Sequence, residues 1–305
     1  MEDRHAPSHT HRDIFLREAP LIPLPTPLGP RIHWFRWLWL LATLIALTIM
    51  TLMLVNEARS SRWQAREISE YAQRLGYTLA DGPSDRLIFP RHGPFDERLG
   101  YTRLPNWQQR LEERGFEVSQ QVRMSPAMLD YANRGFFVPY NEKTQAGLAL
   151  TECRGETMHH FANPQRHFAH FEEVPELVLK SLLFIENRDL LDTEYRYANP
   201  AVDWPRFVRA AVSQVGEAIN LPGQSSGGST LATQLEKYRH SPGGLTISAQ
   251  EKLRQMVSAS VRAYRQGPET LTARQDVALD YLNSVPLSAA PGYGEVLGLG
   301  DGLWV

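Results

Sequence analysis

A run of glycines, hydroxyls, an amide and a lysine is the part of this sequence best suited to bind a polar ligand. It reads GGSTLATQLEK over Gly227–Lys237. Thr230, Gln234 and Lys237 follow one another at helical spacing, so a helix places their side chains on one face. The sequence therefore predicts a helix that lines a polar groove, with Ser229 as its N-cap.

A glutamate at the end of an apolar stretch is the candidate for proton transfer. Glu186 directly follows the run LLFI. An apolar environment raises the pKa of a carboxyl group, which suits proton transfer near neutral pH. The alternative is an ordinary glutamate at the polar end of a core helix, paired with Arg188. The residue types alone leave both interpretations open.

A third charged segment reads EKLRQ at residues 251–255 and lies in a further predicted helix. Lys252 and Arg254 carry charges that could hold an anionic ligand. The amide of Gln255 can form hydrogen bonds but carries no charge. A helix stripe that faces solvent explains the same residues almost as well.

These segments resemble, in order, the motifs of the peptidoglycan glycosyltransferase domain of class A penicillin-binding proteins and monofunctional transglycosylases. Gly227–Lys237 is similar to GGSTxxxQLxK, and Glu186–Leu190 is similar to EDRxF. The segment 251–255 stands where the family has RKxxE, and 281–294 is similar to YLN followed by GxYG. The resemblance covers about residues 140 to 305.

The resemblance implies that the protein polymerises a lipid-linked disaccharide-peptide (lipid II) into glycan strands and releases undecaprenyl diphosphate. Glu186 then corresponds to the base, and Gln255 stands at the second catalytic position. It implies no obligatory cofactor and leaves open a divalent cation (Mg²⁺) at the diphosphate. The residues implied to bind substrate are Arg188, Ser229, Thr230, Gln234, Lys237, Lys252 and Arg254.

The sequence departs from the family pattern at several positions. Asn187 replaces an aspartate, Asn199 a histidine, Tyr238 an asparagine, Glu251 an arginine and Gln255 the second glutamate. These substitutions leave open a catalytically impaired relative that binds lipid-linked glycan or a cell-wall partner. A hydrolase that cuts glycan on the same scaffold is a further alternative.

A continuous apolar segment lies near the N-terminus, from Trp37 to Val55. As a helix it would rise about 28 Å, close to the thickness of a hydrocarbon core. Arginines flank it on both sides, so its orientation does not follow from charge. The resemblance implies a single-pass protein of the bacterial inner (cytoplasmic) membrane, with the catalytic domain on the periplasmic side.

Four regions follow from composition and resemblance. They are a proline-rich disordered tail (1–32), a transmembrane helix (33–56), a small α+β accessory region (57–139) and a glycosyltransferase-like domain (140–305). The expected fold class is mainly α, with a lysozyme-like catalytic domain that looks incomplete at its C-terminal end. Expected partners are glycan, membrane lipid and cell-wall synthesis proteins. The net charge of −2 gives no reason to expect nucleic acid.

Local patterns give further expectations. The runs FFVPY (136–140) and LAL (148–150) predict strands, and residues 175–191 predict one apolar helix. A helix is expected after Asp203, and a flexible loop at 224–228 could cover the groove. Thr272 and Gln275 have the spacing of a capping box.

Four histidines crowd the segment around residues 159–170, near the single cysteine, Cys153. Imidazole and thiolate groups can bind zinc, but this spacing matches no closed structural site. Surface or interface histidines are therefore favoured over a metal site. A single cysteine also excludes an internal disulfide.

Overall fold

The computed structural model describes residues 31–88, 90, 93–204 and 229–305. Within these ranges the chain forms ten α-helices and three two-stranded antiparallel sheets. The helices are α1 (Arg31–Ser60), α2 (Arg62–Gln73), α3 (Pro94–Arg98), α4 (Leu104–Glu112), α5 (Pro126–Asn133), α6 (Glu176–Glu186), α7 (Leu231–His240), α8 (Ala249–Ala263), α9 (Leu271–Ser284) and α10 (Gly298–Gly302). The strands are β1 (Tyr77–Asp81), β2 (Gln120–Met124), β3 (Ala146–Thr151), β4 (Thr157–Asn163), β5 (Pro286–Ala290) and β6 (Gly294–Leu297). The helix expected after Asp203 and the loop at 224–228 fall outside these ranges.

The chain divides into two compact units, Met1–Thr51 and Leu52–Val305. The segment Trp34–Ser60 is long and apolar enough to cross a membrane, and none of its most apolar window is buried in protein. A signal sequence near an N-terminus meets the same criteria. A helix that is apolar on all sides needs lipid or a large protein around it.

Ser61, the residue between α1 and α2, has a positive φ of 51°. The carboxylate of Glu57 accepts hydrogen bonds from the backbone N–H groups of Trp63, at 3.1 Å, and Gln64, at 2.9 Å. It thereby satisfies two donors that the first turn of α2 leaves free. The buried face of α2 is formed by Ala65, Ser69 and Ala72.

The accessory region combines α2–α5 with the β1–β2 pair, in which Tyr77 lies opposite Met124. Its apolar side chains Leu75, Met128 and Tyr131 are buried together with Val261 of α8. Burying apolar side chains in this way stabilises the folded state. The accessory region and the C-terminal helices therefore share one hydrophobic cluster.

The strand predicted at LAL is confirmed as part of β3, but the strand predicted at FFVPY is wrong. Residues 136–140 form no strand. The ring of Phe136 stacks on Tyr131 at 5.0 Å, and the N–H of Phe137 donates to Ser258 Oγ at 3.0 Å. Tertiary contacts thus take the groups that a strand ladder would use.

The apolar helix predicted over 175–191 ends earlier, at Glu186. Asn187 has an extended backbone, and the chain then turns through an irregular loop. The buried guanidinium of Arg274 on α9 donates to the carbonyl oxygens of Leu190, at 2.8 Å, and Asp192, at 2.9 Å. Carbonyls that a longer helix would bond internally are satisfied here by Arg274, which fixes the loop after Glu186.

The beginning of α7 differs from the prediction by one residue. Thr230, not Ser229, is the N-cap. The hydroxyl of Thr230 accepts from the N–H of Thr233 at 3.3 Å, and the hydroxyl of Thr233 accepts from the N–H of Thr230 at 2.9 Å. This reciprocal cap leaves the hydroxyl of Ser229 available for another partner.

The helix that contains the YLN motif (281–283) also starts earlier than the spacing of Thr272 and Gln275 predicts. α9 begins at Leu271, directly after Thr270, so Thr272 lies inside the helix and forms no capping box with Gln275. Thr270 is fully buried, and its hydroxyl donates to the carbonyl of Ala198 at 2.7 Å. A tertiary hydrogen bond to the preceding loop therefore takes the place of the local cap.

Small side chains bring the central helices close together. Ala232 of α7 and Ala259 of α8 are buried in one cluster with Ala201, and Leu231 packs against Ala278 of α9. Packing of α7 against both α8 and α9 makes it the central helix of the C-terminal part. One face of α7 is thereby committed to the core, which leaves the other for polar groups.

Candidate functional site

Glu186 is the last residue of α6, and its side chain is only half-buried. The preceding Phe184 and Ile185 are exposed, so the predicted apolar enclosure of this glutamate is wrong. Instead, the amide nitrogen of Gln234 donates a hydrogen bond to Glu186 Oε2 at 2.9 Å. The carboxylate therefore lies at a polar surface that a substrate can reach.

A tyrosine holds the other end of the Gln234 amide. The hydroxyl of Tyr238 donates to Gln234 Oε1 at 2.8 Å, and the ring of Tyr281 lies 6.2 Å from the ring of Tyr238. Burial raises the pKa of the Tyr238 hydroxyl, and the negative charge of Glu186 raises it further. The hydroxyl therefore stays protonated at neutral pH and acts as a donor.

Two lysines lie close enough for their charges to interact, and one of them lies over the ring of Tyr238. The ammonium group of Lys252 on α8 donates to Ser229 Oγ at 2.7 Å. Burial lowers the pKa of Lys252, and the nearby charge of Lys237 lowers it further. The ammonium of Lys237 lies 4.7 Å from the ring of Tyr238. Neither lysine pairs with a carboxylate in the part of the chain that the structure describes, so an anion would relieve their mutual repulsion.

Three other residues implied to bind or act on substrate have partners elsewhere. Gln255 is fully buried; it accepts a hydrogen bond from the hydroxyl of Thr246 at 3.1 Å and donates one to Ser241 Oγ at 2.9 Å. Arg254 pairs with Glu251 at 2.8 Å. The hydroxyl of Thr230 is bound to the backbone N–H of Thr233 as the N-cap of α7. No contact within the described ranges joins these three side chains to the carboxylate of Glu186.

Arg188 points to a different neighbour. Its guanidinium lies 4.1 Å from the ring centroid of Phe184, and the residue is exposed. The structure thus brings together Glu186, Gln234 and Tyr238, and separately Ser229 and Lys252. A general base and ammonium groups that can bind an anion are the groups needed to transfer a sugar, acyl or phosphoryl group to a hydroxyl.

Comparison with known families identifies the domain that holds this site. Residues 154–304 match the family model described as transglycosylase. This part of the chain belongs to the transglycosylase family. No curated protein matches the chain at a significant level. The transglycosylase domain supports a peptidoglycan glycosyltransferase type of function in the cell envelope.

A buried ion network at the end of α7 was missed by sequence reasoning. The buried carboxylate of Glu142 contacts Arg239 at 2.7 Å, His240 at 2.6 Å and Arg262 at 2.9 Å. The other ring nitrogen of His240 lies 2.9 Å from Asp96 of α3. Glu142 and Asp96 precede residues 154–304, so residues outside the matched range neutralise cations inside it. The only sequence signal is the pair of cationic residues directly after Tyr238.

The charges of this network shift each other's proton affinity. Burial alone would raise the pKa of Glu142, but Arg262, His240 and Arg239 hold it far below its ordinary value. Burial alone would lower the pKa of His240, but Glu142 and Asp96 raise it to about 9. At neutral pH the transglycosylase domain therefore holds a charged imidazolium against its neighbours.

The described residues do not fit a protein-held divalent cation at the lysine pair. No group of three histidine, cysteine or acidic side chains in these ranges could hold a metal ion. The position of the family's second glutamate carries the amide of Gln255, which is already bound to Ser241 and Thr246. His159 and His160 lie on β4. The described part of the chain therefore offers no ligand set for such an ion beside the lysines.

Proposed function

We propose that this protein is a membrane-anchored peptidoglycan glycosyltransferase that polymerises lipid-linked disaccharide-peptide into glycan strands. The observation that carries the proposal is the carboxylate of Glu186, bound by Gln234, in a matched transglycosylase domain that also holds the Lys237 and Lys252 ammonium groups. The reaction needs a base at the attacking hydroxyl and positive charge at the leaving diphosphate. These groups supply both.

The proposed step is a direct displacement at the anomeric carbon of the donor sugar. The carboxylate of Glu186 takes the proton of the acceptor hydroxyl, and the hydroxyl oxygen forms a bond to that carbon. The bond between the carbon and the diphosphate oxygen breaks, and the diphosphate leaves with the electron pair. The Gln234 amide holds the carboxylate in place before attack, because it donates a hydrogen bond to Oε2.

The negative charge that develops on the diphosphate is stabilised by the two lysines. Lys252 is partly desolvated and sits beside Lys237, so its ammonium gains much from an anionic partner. Ser229, already bound to Lys252, can reorient its hydroxyl toward a phosphate oxygen. We therefore assign Lys237, Lys252 and Ser229 to the leaving group, and we assign no substrate contact to Arg254 or Gln255.

The membrane segment suits a substrate whose leaving group is a polyprenyl diphosphate. We propose that Trp34–Ser60 crosses the bacterial cytoplasmic membrane once and that the transglycosylase domain lies on the periplasmic side. An anchored enzyme meets a lipid-linked donor at the bilayer surface. We also propose a lysozyme-like arrangement for the C-terminal helices α6–α9, supported by the family match.

The test is a polymerisation assay on the full chain in detergent with labelled lipid-linked disaccharide precursor. Glu186→Gln keeps the shape and removes the base, so we expect loss of glycan product of about 10²-fold or more. The matched control is Glu176→Gln on the same helix, an exposed residue paired with Lys180, which should leave the rate unchanged. Equal rates for both variants would contradict the role of Glu186.

A binding protein without turnover is the competing function, and the amide at Gln255 in place of an acidic residue favours it. It predicts that the wild-type chain retains the labelled precursor but forms no polymer. A glycan hydrolase is tested on the same preparations, because it would clear purified glycan in a zymogram. Polymer formed by the wild type and lost in Glu186→Gln excludes both alternatives.

A further inference from the structure

The hydroxyl of Tyr238 is the unusual group beside the proposed base, because it bonds to the far end of the Gln234 amide rather than to Glu186 itself. We propose that Tyr238 is a positioning residue that fixes the Gln234 amide so that its NH₂ group faces Glu186. This inference rests on the proposed function, since it concerns the same base.

A glutamine amide can meet a carboxylate in two ways. The NH₂ end donates a hydrogen bond to an ionised carboxylate, whereas the oxygen end repels it and suits only a protonated carboxyl group. In the structure the NH₂ end faces Glu186 at 2.9 Å. The choice between the two orientations therefore decides whether Gln234 supports a base.

Tyr238 settles that choice because it supplies a donor to the amide oxygen. Its hydroxyl lies 2.8 Å from Gln234 Oε1. Burial and the charge of Glu186 both raise the pKa of this hydroxyl, so it keeps its proton. A flip of the amide would leave the Gln234 oxygen against Glu186, and the Tyr238 oxygen would then have to accept from the NH₂ group and turn its own proton away from the amide.

The tyrosine is itself held in place. Gln234 and Tyr238 are one helical turn apart on α7, which brings their side chains together on one face. Tyr281 of α9 packs at 6.2 Å from the Tyr238 ring, and the ammonium of Lys237 lies 4.7 Å from it. The hydroxyl is thus aimed by contacts on two sides rather than by the amide alone.

The experiment is a double-mutant cycle on the full chain in detergent, with the rate of glycan polymerisation as the readout. Tyr238→Phe removes only the hydroxyl, and we expect kcat to fall roughly 3- to 10-fold with KM unchanged. Gln234→Met removes the amide at similar size. Because Tyr238 acts through Gln234, adding Tyr238→Phe to Gln234→Met should change kcat by less than about 2-fold.

The matched control is Tyr131→Phe. Tyr131 is buried, and its hydroxyl donates to Ser258 at 3.3 Å. Tyr131→Phe therefore removes a buried tyrosine hydroxyl that does not bond to Gln234. We expect its kcat to match the wild type. Thermal denaturation of each variant shows whether the fold is kept.

The outcomes separate this inference from the proposed function. In one outcome the wild type forms polymer, and Tyr238→Phe lowers kcat by the same factor in the wild type and in Gln234→Met. That result overturns the positioning role of Tyr238 and leaves the proposed function standing. A loss that appears only in KM also overturns it, since the base acts in the chemical step. No polymer from the wild-type chain overturns the proposed function, and the inference with it.

Discussion

The carboxylate of Glu142 is the group whose loss should most strongly disturb the fold around the proposed site. Its buried side chain contacts three cationic residues, Arg239, His240 and Arg262. Glu142→Gln keeps the size of the side chain but removes its charge. The buried Arg239 and His240 and the partly exposed Arg262 then keep less neutralising charge, and desolvated unpaired charge is costly.

The size of the destabilisation depends on the carboxylates that still pair with the three cations in Glu142→Gln. Arg262 retains Glu236 at 2.7 Å, His240 retains Asp96 at 2.9 Å, and Arg239 retains Asp280 at 3.2 Å. Breaking a buried pair costs about 3–5 kcal/mol, and the remaining partners favour the lower end of that range. For a unit of this size, about 3 kcal/mol lowers the midpoint of thermal unfolding by roughly 6–12 °C.

The effect should reach the proposed site because α7 carries Arg239 and His240 of the ion network as well as Gln234 of the site. Gly93 of the accessory region lies so close to α7 that a Cβ there would be 1.6 Å from the carbonyl oxygen of Arg239. That contact and the Glu142 pairs hold the C-terminal end of the helix that presents Gln234. We therefore expect Glu142→Gln to lower the polymerisation rate as well as the midpoint.

The assay is thermal unfolding of the full chain in detergent, followed by near-ultraviolet circular dichroism at neutral pH. Glu172→Gln is the matched control, because Glu172 is exposed and surface substitutions usually change stability by less than about 0.5 kcal/mol. A midpoint for Glu142→Gln within about 2 °C of that control, on the order of the shift that a surface change gives, would refute the electrostatic reasoning.

Two further predictions concern single cations. The pKa of His240 is raised from 6.5 to about 9, so its stabilising charge is complete below about pH 6.5 and is lost as the pH rises through about 9. The midpoint of thermal unfolding, measured from about pH 6 to about pH 10, should fall with pH in the wild type and much less in His240→Gln. The same dependence of the midpoint on pH in both proteins would contradict a stabilising charge on His240. Lys252→Met removes one ammonium group, so we expect kcat/KM for the lipid-linked precursor to fall about 10-fold or more. Lys180→Met, on the exposed Glu176 pair, is the control, and an equal kcat/KM for both variants would contradict the assignment of Lys252 to the diphosphate.

Local sequence patterns predicted the elements that carry the site. The spacing of Gln234 and Lys237 indicated a helix, and α7 confirms it. The helix predicted around residues 251–255 is α8, and the hydroxyl of Ser248 caps it by accepting from the N–H of Glu251 at 3.0 Å. Such features depend on hydrogen bonds within one turn, which the neighbouring residues alone determine.

Predictions failed where distant residues compete for the same groups. The FFVPY run has strand propensity, yet Phe136 stacks on Tyr131 and Phe137 donates to Ser258. Position within the RKxxE-like segment implied that Gln255 meets the substrate, yet its amide is bound to Ser241 and Thr246. That role for Gln255 stays a prediction that no contact in the described ranges supports.

The sequence by itself determined the apolar segment from Trp37 to Val55, the transglycosylase motifs and the polar face of α7. These depend on composition, order and helical period, all of which are local properties of the chain. Only the tertiary structure decided that Tyr238 holds the Gln234 amide against Glu186 and that Glu142 neutralises cations about a hundred residues further along the chain. Contacts between residues so far apart arise from packing and from the need to pair buried charge, and no local pattern records which partner will be found.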